Sequence, residues 1–146
     1  MKVTREWRLG MALTVCLLAL PTLSPAQEMD ERLVLARQLY ACSKFYLGLS
    51  KSVEGDKRKS AQEQGVRYVV EATKDVVDLD PDPDPRNLEM TKKYSALAQQ
   101  DFDAFMVSVN DAPEQERPQR MRGFMDDCRM SELRWKLRGP LKRTAP

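Results

Sequence analysis

The sequence predicts an all-α fold: a small antiparallel up-down four-helix bundle, preceded by a cleaved export signal, with a disulfide between its first and last helices. Three observations carry this expectation. Apolar residues recur every three to four positions along four long segments, clusters of proline and glycine separate those segments, and only Cys42 and Cys128 remain once the signal is removed.

The signal is residues 1–26. Lys2, Arg5 and Arg8 give a positive start, residues 11–20 are apolar, and Pro21 and the small-residue site Ser24-Pro25-Ala26 follow. The apolar stretch is about half of the ~20 residues that a spanning helix needs. Cleavage after Ala26 is therefore expected in preference to an uncleaved anchor. Cys16 follows Val15, where lipoprotein signals carry a small residue, so lipid attachment is not expected.

The signal holds three basic residues and one acidic, so the chain's 24 and 22 become 21 and 21 in residues 27–146. A balanced domain lacks the basic excess of a nucleic-acid binder. Its length suits one domain, here 27–138, with 139–146 as a basic C-terminal tail. Export to the periplasm or the exterior is oxidising, which makes a Cys42–Cys128 bridge the default expectation.

The first helix is expected over roughly 30–52, with Leu35, Leu39, Cys42, Tyr46 and Leu49 on one face; Glu54-Gly55-Asp56 closes it. The second, roughly 57–79, places Ala61, Gly65, Val69, Ala72, Val76 and Leu79 inward, with Val66, Val70 and Val77 widening the stripe. Glu63 and Arg67 stand as an i,i+4 pair on its outer side. No helix crosses the three Asp-Pro repeats of 80–85, but Asp84 and Pro85 suit the start of a third helix that runs to about Val109. Its inward positions are Leu88, Thr91, Ser95, Ala98, Phe102, Phe105 and Val109, with Glu89 set to support Lys92 and Lys93. Asp111 with Glu114 has capping-box spacing for the last helix, which carries Met121, Phe124, Met125, Cys128 and Leu133 to about Arg138; Pro118 is expected to kink its first turn or to set that turn apart.

Short connections favour antiparallel neighbours. In that arrangement Cys42 and Cys128 sit at heights of about 18 and 15 Å above the same end of the bundle, nearly level. The disulfide is thus expected on two independent grounds.

Catalytic chemistry has few residues to draw on. The chain has no histidine, which excludes Ser-His-Asp and Cys-His arrangements and removes the commonest general base. There is no Cys-x-x-Cys and no phosphate-cradling glycine loop. Asp101 and Asp103 fall on different faces of their helix, and Asp126 and Asp127 are adjacent rather than convergent. An enzyme relying on carboxylates alone is the third-ranked reading.

Two features invite a binding role. Asp78, Asp80, Asp82, Asp84 and Glu89 occupy positions 1, 3, 5, 7 and 12 of a window that superficially resembles a calcium loop. Pro83 stands where such a loop needs glycine, so calcium is the second-ranked reading, and a stiff connector is the competing one. Nine basic residues lie between Arg117 and Arg143, including Arg129, Arg134, Lys136 and Arg138, and Met130, Leu133, Leu137 and Leu141 form a helical stripe with Trp135 off it. Such a segment docks an acidic partner or an anionic surface, or else complements the helix dipole. Tyr40, Phe45 and Tyr46, like Met121, Met125 and Met130, are expected to fill the core or line an adaptable groove. The leading expectation is an exported, non-enzymatic protein without a cofactor, whose partner is a protein or an anionic envelope surface. No nucleic acid and no transmembrane segment of the mature chain are expected.

Overall fold

The structure, a computed structural model, describes residues 25–78 and 85–138, with side chains within 31–77 and 89–138. Among the described residues there are four helices and no strands: α1 (Pro25–Ser50), α2 (Gly55–Asp78), α3 (Pro85–Asn110) and α4 (Arg117–Arg138). Residues 1–24, Leu79, the Asp-Pro repeats up to Asp84 and residues 139–146 lie outside the described residues, and with them most of the expected export signal and the expected tail. No described helix is long and apolar enough to cross a membrane.

The helix ends follow from local chemistry. Ser50 Oγ donates to the Leu47 carbonyl at 2.8 Å and stops α1, while Lys51 and Ser52 donate back to Gly48 and Leu49. Gly55 then starts α2 at φ +59°, a left-handed value that glycine adopts without steric cost. α3 opens on Pro85, as its fixed φ favours.

Of the two forms expected around Pro118, the start of α4 takes the separate turn, without the expected Asp111 cap. A separate turn occupies 113–116, anchored by Glu116 and Arg117 N–H on the Pro113 carbonyl, and α4 begins at Arg117 rather than on an Asp111 cap. Pro118 therefore falls in the first turn, where its missing N–H has no partner to lose. Arg117 and Arg120 reach back to the end of α3. Arg117 donates to the carbonyls of Ala112 and Asn110, and Arg120 to that of Ser108, each at 3.0 Å. Two of the nine basic residues thus cap another helix's C-terminus.

α1 is the centre of the fold. It packs most extensively on α2, then α3, then α4. Instead of one inward stripe it is buried nearly all round: Leu33, Leu35, Ala36, Leu39, Tyr40, Ala41, Cys42 and Phe45 are all in the core. A helix with three neighbours has little surface left for solvent. The register is marked by Tyr40 OH on Thr73 Oγ1 at 2.9 Å and by Gly65 against Leu47 on the α2 side. On the α4 side the markers are Ser131 Oγ donating to Gln38 at 3.2 Å, and Phe45 against Phe124 with ring centroids 5.1 Å apart. On the α3 side Arg37 grips Asp101 with two hydrogen bonds of 2.5 and 2.6 Å.

Cys42 and Cys128 lie at disulfide distance, with Cα atoms 5.6 Å apart and both residues buried. Phe105 stacks on Phe124 at 4.3 Å beside this pair. α2 differs from expectation in its inward face. Tyr68, 1% exposed, takes the place given to Val69, and Val66, Val69, Val70 and Val77 all look outward.

Candidate functional site

Two arrangements stand out beyond ordinary packing: a set of buried charges between α2 and α4, and an open groove beside it. Both depend on α4 turning Glu132, Trp135 and Arg138 towards the interior, at a three-residue spacing that keeps them on one side of the helix.

Glu132 is the hub. It accepts from Lys136 Nζ at 2.6 Å, from Arg67 Nη2 at 3.0 Å and from Tyr68 OH at 3.3 Å, with Gln64 Nε2 at 3.4 Å. Burial pushes its carboxyl up, but the Lys136 hydrogen bond and the charges of Arg67 and Lys136 outweigh that and hold it below the ordinary range. Burial pushes the Tyr68 hydroxyl up to about 12. Arg67, placed with Glu63 by sequence spacing, turns instead to Gln64 at 2.7 Å and to Glu132.

Further along α2 lie two carboxylates that the sequence reading did not single out, Glu71 and Asp75. They are 7% and 3% exposed. Asp75 pairs with Arg138, and the buried Arg32 of α1 adds its charge from the other side. Burial nevertheless raises the Asp75 carboxyl, against the pull of Arg138, Arg32 and Trp135. Burial and the charge of Glu132 raise Glu71, against Arg67, Lys136 and Lys74. Among the described residues, Asp75 Oδ2, Glu71 Oε2, Trp135 Nε1 and Arg138 Nε and Nη1 complete no hydrogen bond. No group of three or more cysteine, aspartate or glutamate side chains among the described residues is placed to hold a metal ion.

The groove, of about 800 Å³, opens between α1, α2 and α4. Its apolar surface comes from Tyr46, Leu49 and Met125. Its charges are Asp56, Asp126 and Glu132 against Lys57, Arg67 and Arg129, three of each sign. Phe45, adjacent to Tyr46, points into the ring cluster instead, so the two neighbours divide between core and groove.

No family model, curated protein or solved structure matches this chain. The reading of its function therefore rests on its own residues.

The sequence-predicted site residues fall into three groups. Cys42 and Cys128 come together. Of the calcium window, Asp80, Asp82 and Asp84 lie outside the described residues, Asp78 ends α2, and Glu89 is exposed with Lys92 Nζ 3.5 Å away. The basic segment is split: Arg138 and Lys136 engage Asp75 and Glu132 and Trp135 packs against the core, while Arg129 and Arg134 remain on the outside.

Proposed function

We propose that the chain is an exported, non-enzymatic helical protein of the periplasm or exterior, which binds a segment of another protein in the groove between α1, α2 and α4. The groove's mixture of Tyr46, Leu49 and Met125 with equal numbers of acidic and basic residues is the observation that carries this reading. Balanced charge does not favour a polyanion or a strongly acidic peptide; it suits a segment with its own paired charges around an apolar anchor. The lack of any histidine in the sequence and the full use of Glu132 by its neighbours support binding over catalysis.

The export reading rests on residues 1–26 and draws support from the Cys42–Cys128 pair, which persists in an oxidising compartment. The up-down arrangement of the four helices belongs to the same proposal. It is supported by the order of contacts: Tyr40 meets Thr73 while Leu47 meets Gly65, and Gln38 meets Ser131 while Phe45 meets Phe124. Residue numbers rise on α1 as they fall on α2 and on α4, as antiparallel neighbours require.

Photo-crosslinking in the envelope tests the binding role. A crosslinking residue at Leu49 is expected to trap one discrete protein, and the same residue at exposed Val107 to trap none. The identified protein must then bind the purified chain, and Ser60→Trp, which fills the groove wall, must weaken that binding at least about tenfold. Equal crosslinking from both positions, or binding indifferent to Ser60→Trp, defeats the proposal.

A further inference from the structure

α4 carries a second apolar strip, on the side away from the core. Met130, Leu133 and Leu137 are 51%, 44% and 84% exposed. Their spacing of three and four places them within about 60° of one another on the helix, roughly opposite Cys128, which is fully buried. Met130 and Leu137 turn more than half of their surface to solvent, and Leu133 nearly half. Its borders are basic: Arg129 and Lys136 on one side, Arg134 on the other. Of the acidic residues of the same helix, Asp126 stands on the line of the strip one turn before Met130 and Asp127 on the side of Arg134, while Glu132 points inward to Tyr68; from Met130 to Leu137 the outward charges are basic. The sequence beyond Arg138 continues in the same character, with Leu141, Lys142 and Arg143.

From this juxtaposition we infer that the outer face of α4 rests on an anionic lipid surface, with Met130, Leu133 and Leu137 entering the headgroup boundary and Arg134 meeting the headgroup charge. An apolar ridge with cationic borders is what an in-plane helix presents to such a surface. The charge pattern decides between occupants. A second copy of the chain would set Arg129 and Arg134 of one ridge against the same arginines of the other, and like charges across a contact oppose it. A lipid surface supplies an anion to Arg134, while Lys136 keeps Glu132, and it deforms around a convex ridge. Trp135, the residue that would ordinarily mark an interfacial helix, takes no part, because it packs against the core. This surface shares only Arg129 with the groove, and the inference does not depend on the groove's being occupied.

The test uses protein recovered from the cell envelope as the host processes it. It is sedimented with vesicles of phosphatidylcholine alone, or of equal parts phosphatidylcholine and phosphatidylglycerol. Binding is expected to the second and not the first, and to weaken as salt rises. Arg134→Glu is expected to reduce it about tenfold or more, since each basic residue near an anionic surface adds roughly fivefold and the substitution also brings repulsion. Leu133→Ser with Leu137→Ser should lower it by a similar factor while leaving the melting temperature unchanged, because both side chains are in solvent. Ser60→Trp should leave it intact, which separates this inference from the fate of the groove. Equal binding to both vesicles, retention by the ridge variants, or a dimer that becomes monomeric in the leucine variant would overturn the assignment.

Discussion

At the level of Phe45, α1, α3 and α4 meet through stacked rings and the Cys42–Cys128 pair. At the level of Asp75, α1, α2 and α4 meet through Arg32, Arg138, Trp135 and a carboxylate with one oxygen unmatched. Both levels exclude water, but they hold together differently. Rings and sulfur lose little when a neighbour shifts, since dispersion and apolar burial have no required partner. A buried charge depends on its partner's presence, because the desolvation cost stays when the partner is removed. The ring level is thus the unconditional part of the fold, and the charge level the conditional part.

The strongest way to test that division is to remove the covalent tie. Cys42→Ser with Cys128→Ser opens a span of 86 residues and is expected to cost about 4–5 kcal/mol by the chain-entropy estimate, read as a large fall in denaturation midpoint. Asp75→Ala leaves Arg138 buried and unpaired, and should cost about 3–5 kcal/mol. Asp75→Leu with Arg138→Met should recover most of that loss, and failure to do so would place the pair among the stabilising elements. Gly65→Ala probes how tightly α2 sits on α1. A Cβ there would lie 2.8 Å from Leu47 Cγ and 3.2 Å from its backbone nitrogen, so a loss of about 1–3 kcal/mol is expected in thermal melts.

A smaller effect separates the two levels by pH. Glu71 and Asp75 are raised above their ordinary 4.5 and 3.8. Their contribution is fully present below those values. It is lost as pH climbs through the raised values, because the unfolded chain has by then released its protons more readily than the folded one. Glu132 works in the opposite sense: lowered from 4.5, it stabilises above that value and fails as pH falls through its folded pKa. The melting temperature should therefore be higher near pH 5 than near pH 8. Glu71→Gln should flatten that difference and raise stability at pH 8 by up to about 1 kcal/mol. Least of all, Val66→Thr with Val70→Thr should change stability by less than about 0.5 kcal/mol, since both valines are in solvent.

The same division explains which parts could be read from the sequence. Breaks between helices were legible because proline and glycine act locally: Gly55 and Pro85 start α2 and α3 regardless of what packs against them. The cysteine pair was legible because helical rise fixes heights without side-chain detail. The inward face of α2 was not. Hydropathy favours four valines over Tyr68, whose ring packs against Tyr46 and whose hydroxyl is received by Glu132, 64 residues away. Glu71 and Asp75 were invisible for the same reason. A carboxylate reads as surface until Trp135 and Arg138 are known to cover it, and that depends on the rotation of a helix 63 positions on. Arg117 and Arg120 looked like part of one basic stripe, whereas their partners are carbonyls at the end of α3.

The central place of α1 also sets an order of assembly. The helix on which the other three pack lies nearest the N-terminus, and its buried circumference from Leu33 to Phe45 has no cover until α2, α3 and α4 exist. A chain emerging N-terminus first holds Cys42 in waiting until Cys128 arrives 86 residues later. The Cys42–Cys128 pair cannot form part-way, and the helix with the most buried residues waits longest for its last neighbour. The interval before α4 arrives is the period in which a holding chaperone matters most.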